Sequence, residues 1–178
     1  MIHHGGLVYY GGLIGAIISG ILFIRIRKLP LWAMADVLAP SIALGYVFGR
    51  IGCLMNGCCY GQACQLPWAI RYPAGHETHP VDEAAMPVHP TQIYDSLLNL
   101  ALYLGLAWLY RRKKFDGQVF AAYLLCYAIT RSSVELFRGD YPQLIAGWIT
   151  PAHMVSVFIF AAGLGLFFLL PRKLSSSK

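Results

Sequence analysis

The sequence predicts an all-α, polytopic integral membrane helix bundle of about five transmembrane helices, with a broken Gly/Cys-rich segment and one long periplasmic loop. Three observations predict it. Of 178 residues, 57% are hydrophobic and only 12% charged, where a soluble domain is about 25% charged. Five apolar runs approach the roughly 20 residues needed to cross a bilayer. Basic residues gather after alternate runs, as a chain threaded back and forth through a membrane requires. This composition excludes a soluble enzyme, a disordered tail and a secreted disulfide knot. The net charge of +6 is therefore read by position, as a marker of the cytoplasmic side, and not as a sign of nucleic-acid binding.

The first run, Leu7–Ile24, carries Gly11, Gly12, Gly15 and Gly20, small residues that let helices pack closely in lipid. It does not read as a signal peptide: histidines and glycines precede it in place of a basic segment, and no small-residue cleavage site comes before Arg25. The second run is Leu31–Phe48. An outside loop over 61–92 follows, with Glu77, Asp82 and Glu83 among prolines and glycines; it is too polar and too broken to span. Loops longer than about 15 residues tend to be functional or disordered. The remaining runs are Ile93–Tyr110, Val119–Phe137 and the charge-free Ile149–Leu170. With no long-period repeat, residues 1–178 read as a single transmembrane domain.

Orientation follows from counting charge. Arg25, Arg27 and Lys28 follow the first run, Arg111 to Lys114 the third, and Arg172, Lys173 and Lys178 the fifth. Ten of the 14 basic residues thus fall on one face, which the positive-inside rule makes cytoplasmic. The N-terminus, the 61–92 loop and the turn after Arg138 then lie outside.

Four arginines remain. Arg71 sits in the outside loop and reads as solvated. Arg50, Arg131 and Arg138 lie at or within span ends towards the outer leaflet, where a charge costs at least about 2.5–3.5 kcal/mol and is a functional candidate by default. Arg131 and Glu135 are four apart on one helix face, so a self-neutralised structural pair is one reading. The other is a ligand site: a guanidinium binds phosphate bidentately, and surplus positive charge at headgroup depth favours an anionic phospholipid. Asp36 and Asp95, near span ends, read as helix-capping or dipole-compensating residues.

Residues 49–61 hold Gly49, Gly52, Gly57 and Gly61 beside Arg50. Such a segment is not expected to form a regular lipid-exposed helix, and broken backbone at membrane depth survives only inside protein or along a cavity. Its N–H groups are then available to phosphate oxygens. Cys53, Cys58, Cys59 and Cys64 allow three readings: buried small hydrophobes, a disulfide at an oxidising face, or a metal site at a spacing unusual for zinc. His76 and His79 read as solvated loop residues.

These motifs resemble those of bacterial prolipoprotein diacylglyceryl transferases. The resemblance rests on Gly49-Arg50-Ile51-Gly52 with Asn56-Gly57 and Gly61, then on His89-Pro90-Thr91-Gln92-Ile93-Tyr94, then on the stretch from Arg131 to Arg138 with Val134-Glu135 inside it. It covers about residues 5 to 160. It implies transfer of a diacylglyceryl group from phosphatidylglycerol to the lipobox cysteine of a prolipoprotein, in the bacterial inner membrane, with no cofactor and no metal. The resemblance makes Arg50 a phosphatidylglycerol-binding arginine. Gly52, Asn56, Gly61 and Arg138 join it as substrate-binding candidates, and Arg131 and Glu135 become catalytic candidates. Tyr10 stands where the family commonly has a histidine and is a third catalytic candidate. Cys53 and Cys58 stand where many members carry Asn and Glu, which leaves the general base open. The chain begins where typical members have passed two spans, so it reads as truncated or as a short paralogue. A non-catalytic lipid-binding paralogue and a cysteine-based metal or redox protein are the alternatives.

Overall fold

The computed structural model describes residues 6–72, 86–138 and 151–175. Five helices run through them: α1 (Gly6–Ile26), α2 (Leu31–Met55), α3 (Thr91–Tyr110), α4 (Gln118–Glu135) and α5 (Pro151–Ser175). The described residues contain no strand, only isolated bridges joining Gly61 to Arg138 and Val88 to Ala63 and Ile70. The all-α expectation holds, with boundaries shifted by a few residues. Three stretches are long and apolar enough to cross a membrane: Leu31–Met55, Thr91–Tyr110 and Ala152–Pro171. The more polar α4 carries Gln118, Arg131 and Glu135 within its 18 residues.

The distribution of polarity is the reverse of a soluble protein's. Leu97, Leu104, Trp108, Phe158 and Phe168 point outward, while Asp36, Gln92, Asp95, Asn99, Glu135 and Arg138 are buried. Lipid covers the first set at no cost, and helix–helix contacts must satisfy the second. Inside, Ala39 and Ala43 lie four apart on α2, both fully buried against Leu106 of α3 and Val119 and Tyr123 of α4. Small side chains there bring three backbones together. Gly163 does the same for α5: an added Cβ would stand 3.0 Å from Leu124 Cβ and 3.2 Å from the Leu125 nitrogen.

Asp36 performs the capping role expected of it, but for a different helix. Its Oδ2 accepts from the Gly117 N–H at 2.9 Å and from Lys113 Nζ at 3.0 Å, and its Oδ1 accepts from the Phe120 N–H at 3.0 Å. These amides open α4, so an α2 carboxylate sits on the positive end of the α4 dipole. Burial works against the Lys113 charge, but the hydrogen bonds it donates to Asp116 and Asp36 outweigh it and hold the ammonium above its usual value of 10.5. Its contribution is therefore present at neutral pH and is lost only as pH climbs through the raised folded value. Asp36→Ala leaves the Gly117 and Phe120 amides without their acceptor and Lys113 with Asp116 alone. We expect a loss of about 3–5 kcal/mol, read as a lowered denaturation midpoint in detergent, with Asp36→Asn recovering part of it.

One expectation is corrected here. The second span was expected to end at Phe48 and give way to broken backbone, but α2 continues to Met55 and takes in Gly49, Arg50, Gly52 and Cys53. A helical glycine costs about 1 kcal/mol, less than an unsatisfied backbone group in lipid. The break is confined to Asn56 and the residues after it.

Candidate active site

The site begins at the C-terminal end of α2. The Gly57 N–H donates to the Leu54 carbonyl at 3.2 Å and the Cys58 N–H to the Cys53 carbonyl at 3.1 Å, with Gly57 at φ 68°. This is a left-handed glycine cap, which turns the chain sharply and stacks Cys58 on Cys53. Cys59 is also left-handed, at φ 63°, a conformation that costs a non-glycine residue about 1–3 kcal/mol unless its surroundings impose it. They do. Thr91 Oγ1 donates to the Cys59 carbonyl at 2.8 Å, and Gln92 Nε2 donates to the Cys58 carbonyl at 2.7 Å. Gln92 Nε2 also donates to the Tyr72 hydroxyl at 3.2 Å. Burial pushes the Tyr72 phenol above its usual value, against the pull of that hydrogen bond, so it is neutral.

The start of α3 therefore pins the turn. On its other side, Gly61 donates its N–H to the His89 carbonyl at 2.9 Å, and the Gln62 N–H reaches the Phe137 carbonyl at 2.9 Å. A Cβ on Gly61 would stand 2.5 Å from the Phe137 oxygen and 2.7 Å from His89 Cβ. Gly61→Ala should consequently push the 56–64 turn away from both α3 and the end of α4. We expect a loss of at least about 2 kcal/mol from overpacking against fixed backbone, visible as faster proteolysis between 56 and 72. Gly52→Ala, with nothing within 4 Å of the added carbon, should show no such change.

One helical turn further into α2 and α3 lies the charge cluster. Arg50 Nη2 meets Asp95 Oδ2 at 2.9 Å. Its Nη2 and Nε donate to the Tyr46 hydroxyl at 2.6 and 3.0 Å, and that hydroxyl lies 3.4 Å from Asp95 Oδ2. Asp95 thus serves as the buried counter-charge of Arg50, not as the cap of its own helix, whose N-terminus has no side-chain cap bond. On α4, Arg131 Nη1 pairs with Glu135 Oε2 at 2.5 Å, and Arg138 Nε stands 4.0 Å from the same oxygen. The charges of Arg131 and Arg138 both act on Asp95, and that of Arg138 acts on Arg50. Among the described residues, three guanidiniums thus gather around two carboxylates.

Beside it lies a cavity of about 390 Å³ bordered by Trp68, His89, Tyr94, Leu98, Val134 and Phe137. Trp68 Nε1 donates to the Tyr94 hydroxyl at 2.8 Å, and the His89 ring packs on Phe137 and Tyr94.

Of the residues singled out from sequence, Arg50, Arg131, Glu135 and Arg138 come together. Gly61 lies behind the cluster, clamped between His89 and Phe137. Gly52 and Asn56 are exposed, Gly52 within α2 and Asn56 closing it through its N–H to the Gly52 carbonyl at 3.0 Å. Arg71 is exposed, as expected. Tyr10 falls within α1, but its side chain lies outside the described residues, as do His76, Glu77, His79, Asp82 and Glu83 entirely. Sequence reasoning missed Tyr46, Thr91 and Gln92 as site-building residues and misassigned Asp95. The available signals were a tyrosine one turn before an intramembrane arginine and an unexplained carboxylate in the next span.

Fold and site define a class: a helical membrane protein whose described spans bury a cluster of arginines and carboxylates. The chain belongs to the prolipoprotein diacylglyceryl transferase family, whose model, described as Prolipoprotein diacylglyceryl transferase, matches residues 1–169. It is 35% identical over 162 residues to a phosphatidylglycerol–prolipoprotein diacylglyceryl transferase of Clostridium tetani, covering 91% of this chain and 63% of that protein. It is 36% identical over 181 residues to the protein of that name from Synechococcus elongatus, covering 98% and 62%. For the Sinorhizobium medicae protein of that name the figures are 36% over 163 residues, 88% and 55%. The chain thus spans about 60% of the length of these curated relatives.

Proposed function

We propose that this protein transfers the diacylglyceryl group of phosphatidylglycerol to the lipobox cysteine thiol of prolipoproteins, at the outer leaflet of the bacterial inner membrane. Residues 1–178 act as one transmembrane domain with five crossings, the basic loops cytoplasmic and the 61–92 loop outside. The observation that carries the reading is a convergence of guanidiniums: Arg50, Arg131 and Arg138 gather around the buried Asp95 and Glu135, and planar forks of this kind suit a phosphodiester anion.

In this reaction the acceptor sulfur attacks the glyceryl carbon that bears the phosphate ester. An S–C bond forms, the C–O bond breaks, and its electron pair leaves on glycerol phosphate. Arg50 and Arg138 hold the phosphate. Arg131, oriented by Glu135, meets the negative charge that grows on the leaving oxygen, where a prearranged donor is worth most. Gly52 and Asn56, exposed around the end of α2, are left open to the headgroup, while Gly61 serves the site by letting the 56–64 turn close against His89 and Phe137. Tyr10 remains the candidate on α1 for proton handling.

The test is direct. The purified chain is mixed with vesicles containing glyceryl-labelled phosphatidylglycerol and a lipobox peptide, and label on the peptide is measured. Labelling that requires phosphatidylglycerol, and is absent with phosphatidylcholine, is the expected result. Failure to label in a folded, membrane-inserted sample would overturn the assignment.

A further inference from the structure

The glycine cap of α2 brings three thiols to one point. The Sγ atoms of Cys53, Cys58 and Cys59 all lie within 4.8 Å of one another, each partly buried and none in a disulfide. The spacing looked unsuited to zinc, but the cap accounts for it: it stacks the residue after its glycine on the one five positions earlier. The left-handed Cys59 then supplies the third sulfur. A tetrahedral zinc ion bound at about 2.3 Å needs sulfurs about 3.8 Å apart, so rotamer adjustments of under about 1 Å complete the set. The supporting backbone is already fixed, since the carbonyls of Cys58 and Cys59 are held by Gln92 and Thr91.

We propose that Cys53, Cys58 and Cys59 form a zinc site whose fourth position takes the acceptor thiol as a thiolate. This rests on the transferase reading above. Three protein ligands with one open position are the pattern of a catalytic zinc, not a structural one. A thiol that binds zinc gives up its proton, here to solvent, and remains a nucleophile. Such a step supplies a thiolate where both carboxylates of the neighbouring cluster are already engaged by arginines, and it leaves Tyr10 to serve proton transfer to solvent. The location also fits. Cys53 is three residues beyond Arg50, a neighbour on the same helix face. Thr91 and Gln92 lie one turn before Asp95, so the thiols stand one turn from the Arg50–Asp95 pair on both helices.

The purified full chain, reduced and loaded with Zn²⁺ alone, should retain about one ion per chain after desalting. Zinc should protect Cys53, Cys58 and Cys59 from alkylation while leaving Cys64 and Cys126 at their metal-free rates. This readout uses the unaltered chain, so it stands even if a cysteine variant fails to fold. Thr91→Val, which frees the Cys59 carbonyl, should weaken zinc about 10- to 100-fold. Co²⁺ in place of Zn²⁺ should show thiolate charge-transfer absorption, and a lipobox peptide should perturb its ligand-field bands where a Cys→Ser peptide does not. No retained zinc, or equal protection of all five cysteines, overturns the site. Undiminished transfer by metal-free protein overturns its part in thiol activation and leaves the transferase reading standing. Zinc bound with the peptide response, but without transfer, would uphold the site and sink the transferase reading.

Discussion

Arg50→Ala is expected to lower diacylglyceryl transfer by about 100- to 1,000-fold, the range for removing a prearranged donor from a developing negative charge. Arg50 is the residue through which α2 enters the cluster, and its guanidinium is already oriented by Asp95 at 2.9 Å and by the Tyr46 hydroxyl. Binding a phosphate therefore needs no further ordering of that side chain. The substitution also strands Asp95, whose side chain is almost fully buried, so loss of activity must be separated from loss of fold. Arg50→Lys does this. It keeps a positive charge opposite Asp95 but removes the planar fork that serves carboxylate and phosphate together. We expect Arg50→Lys to insert and melt near the parent while still losing at least about tenfold in transfer. Transfer by Arg50→Ala at close to the parental rate, in protein recovered from the membrane, would remove Arg50 from the mechanism.

The contrast between Arg50 and Asp95 shows what could be read from the sequence. Helices and their approximate bounds follow from hydropathy, because lipid demands long apolar runs whatever the tertiary structure. The intramembrane arginines stand out for the same reason, since a charge there is costly enough to need a purpose. Partners are harder to see. Asp95 lies 45 residues beyond Arg50 in the chain, and only the packing of α2 on α3 makes them a pair. The glycine-rich stretch misled in a specific way: propensity argued for a broken segment, yet the membrane's demand for satisfied backbone bonds carried α2 through Gly49 and Gly52 to Met55. Within the 49–61 stretch, geometry requires Gly57 for its positive φ and Gly61 for the close approach of Phe137 and His89. No periodicity reports either requirement. Likewise, the cysteine spacing becomes intelligible only once the cap that folds it is known.

The Arg131–Glu135 pair gives the second large effect, and its sign distinguishes a structural pair from a catalytic one. Glu135 is buried, holds Arg131 and stands 4.0 Å from Arg138 Nε. Glu135→Ala leaves two guanidiniums facing each other in a poorly solvated space, with an expected cost of about 3–5 kcal/mol. Arg131→Ala alone leaves Glu135 with Arg138 close by and should cost less. The double variant should be more stable than Glu135→Ala by at least about 1 kcal/mol, because it leaves only Arg138, and not two guanidiniums, facing the space that Glu135 vacates. If the pair were only structural, activity would follow stability, and the double variant would regain transfer as it regained fold. The proposed mechanism requires the opposite: the double variant recovers its thermal midpoint yet stays at least about 100-fold below the parent in transfer, since the guanidinium that meets the leaving oxygen is gone. Measuring both quantities on all four proteins closes the cycle, and recovery of transfer in the double variant would assign Arg131 to the scaffold.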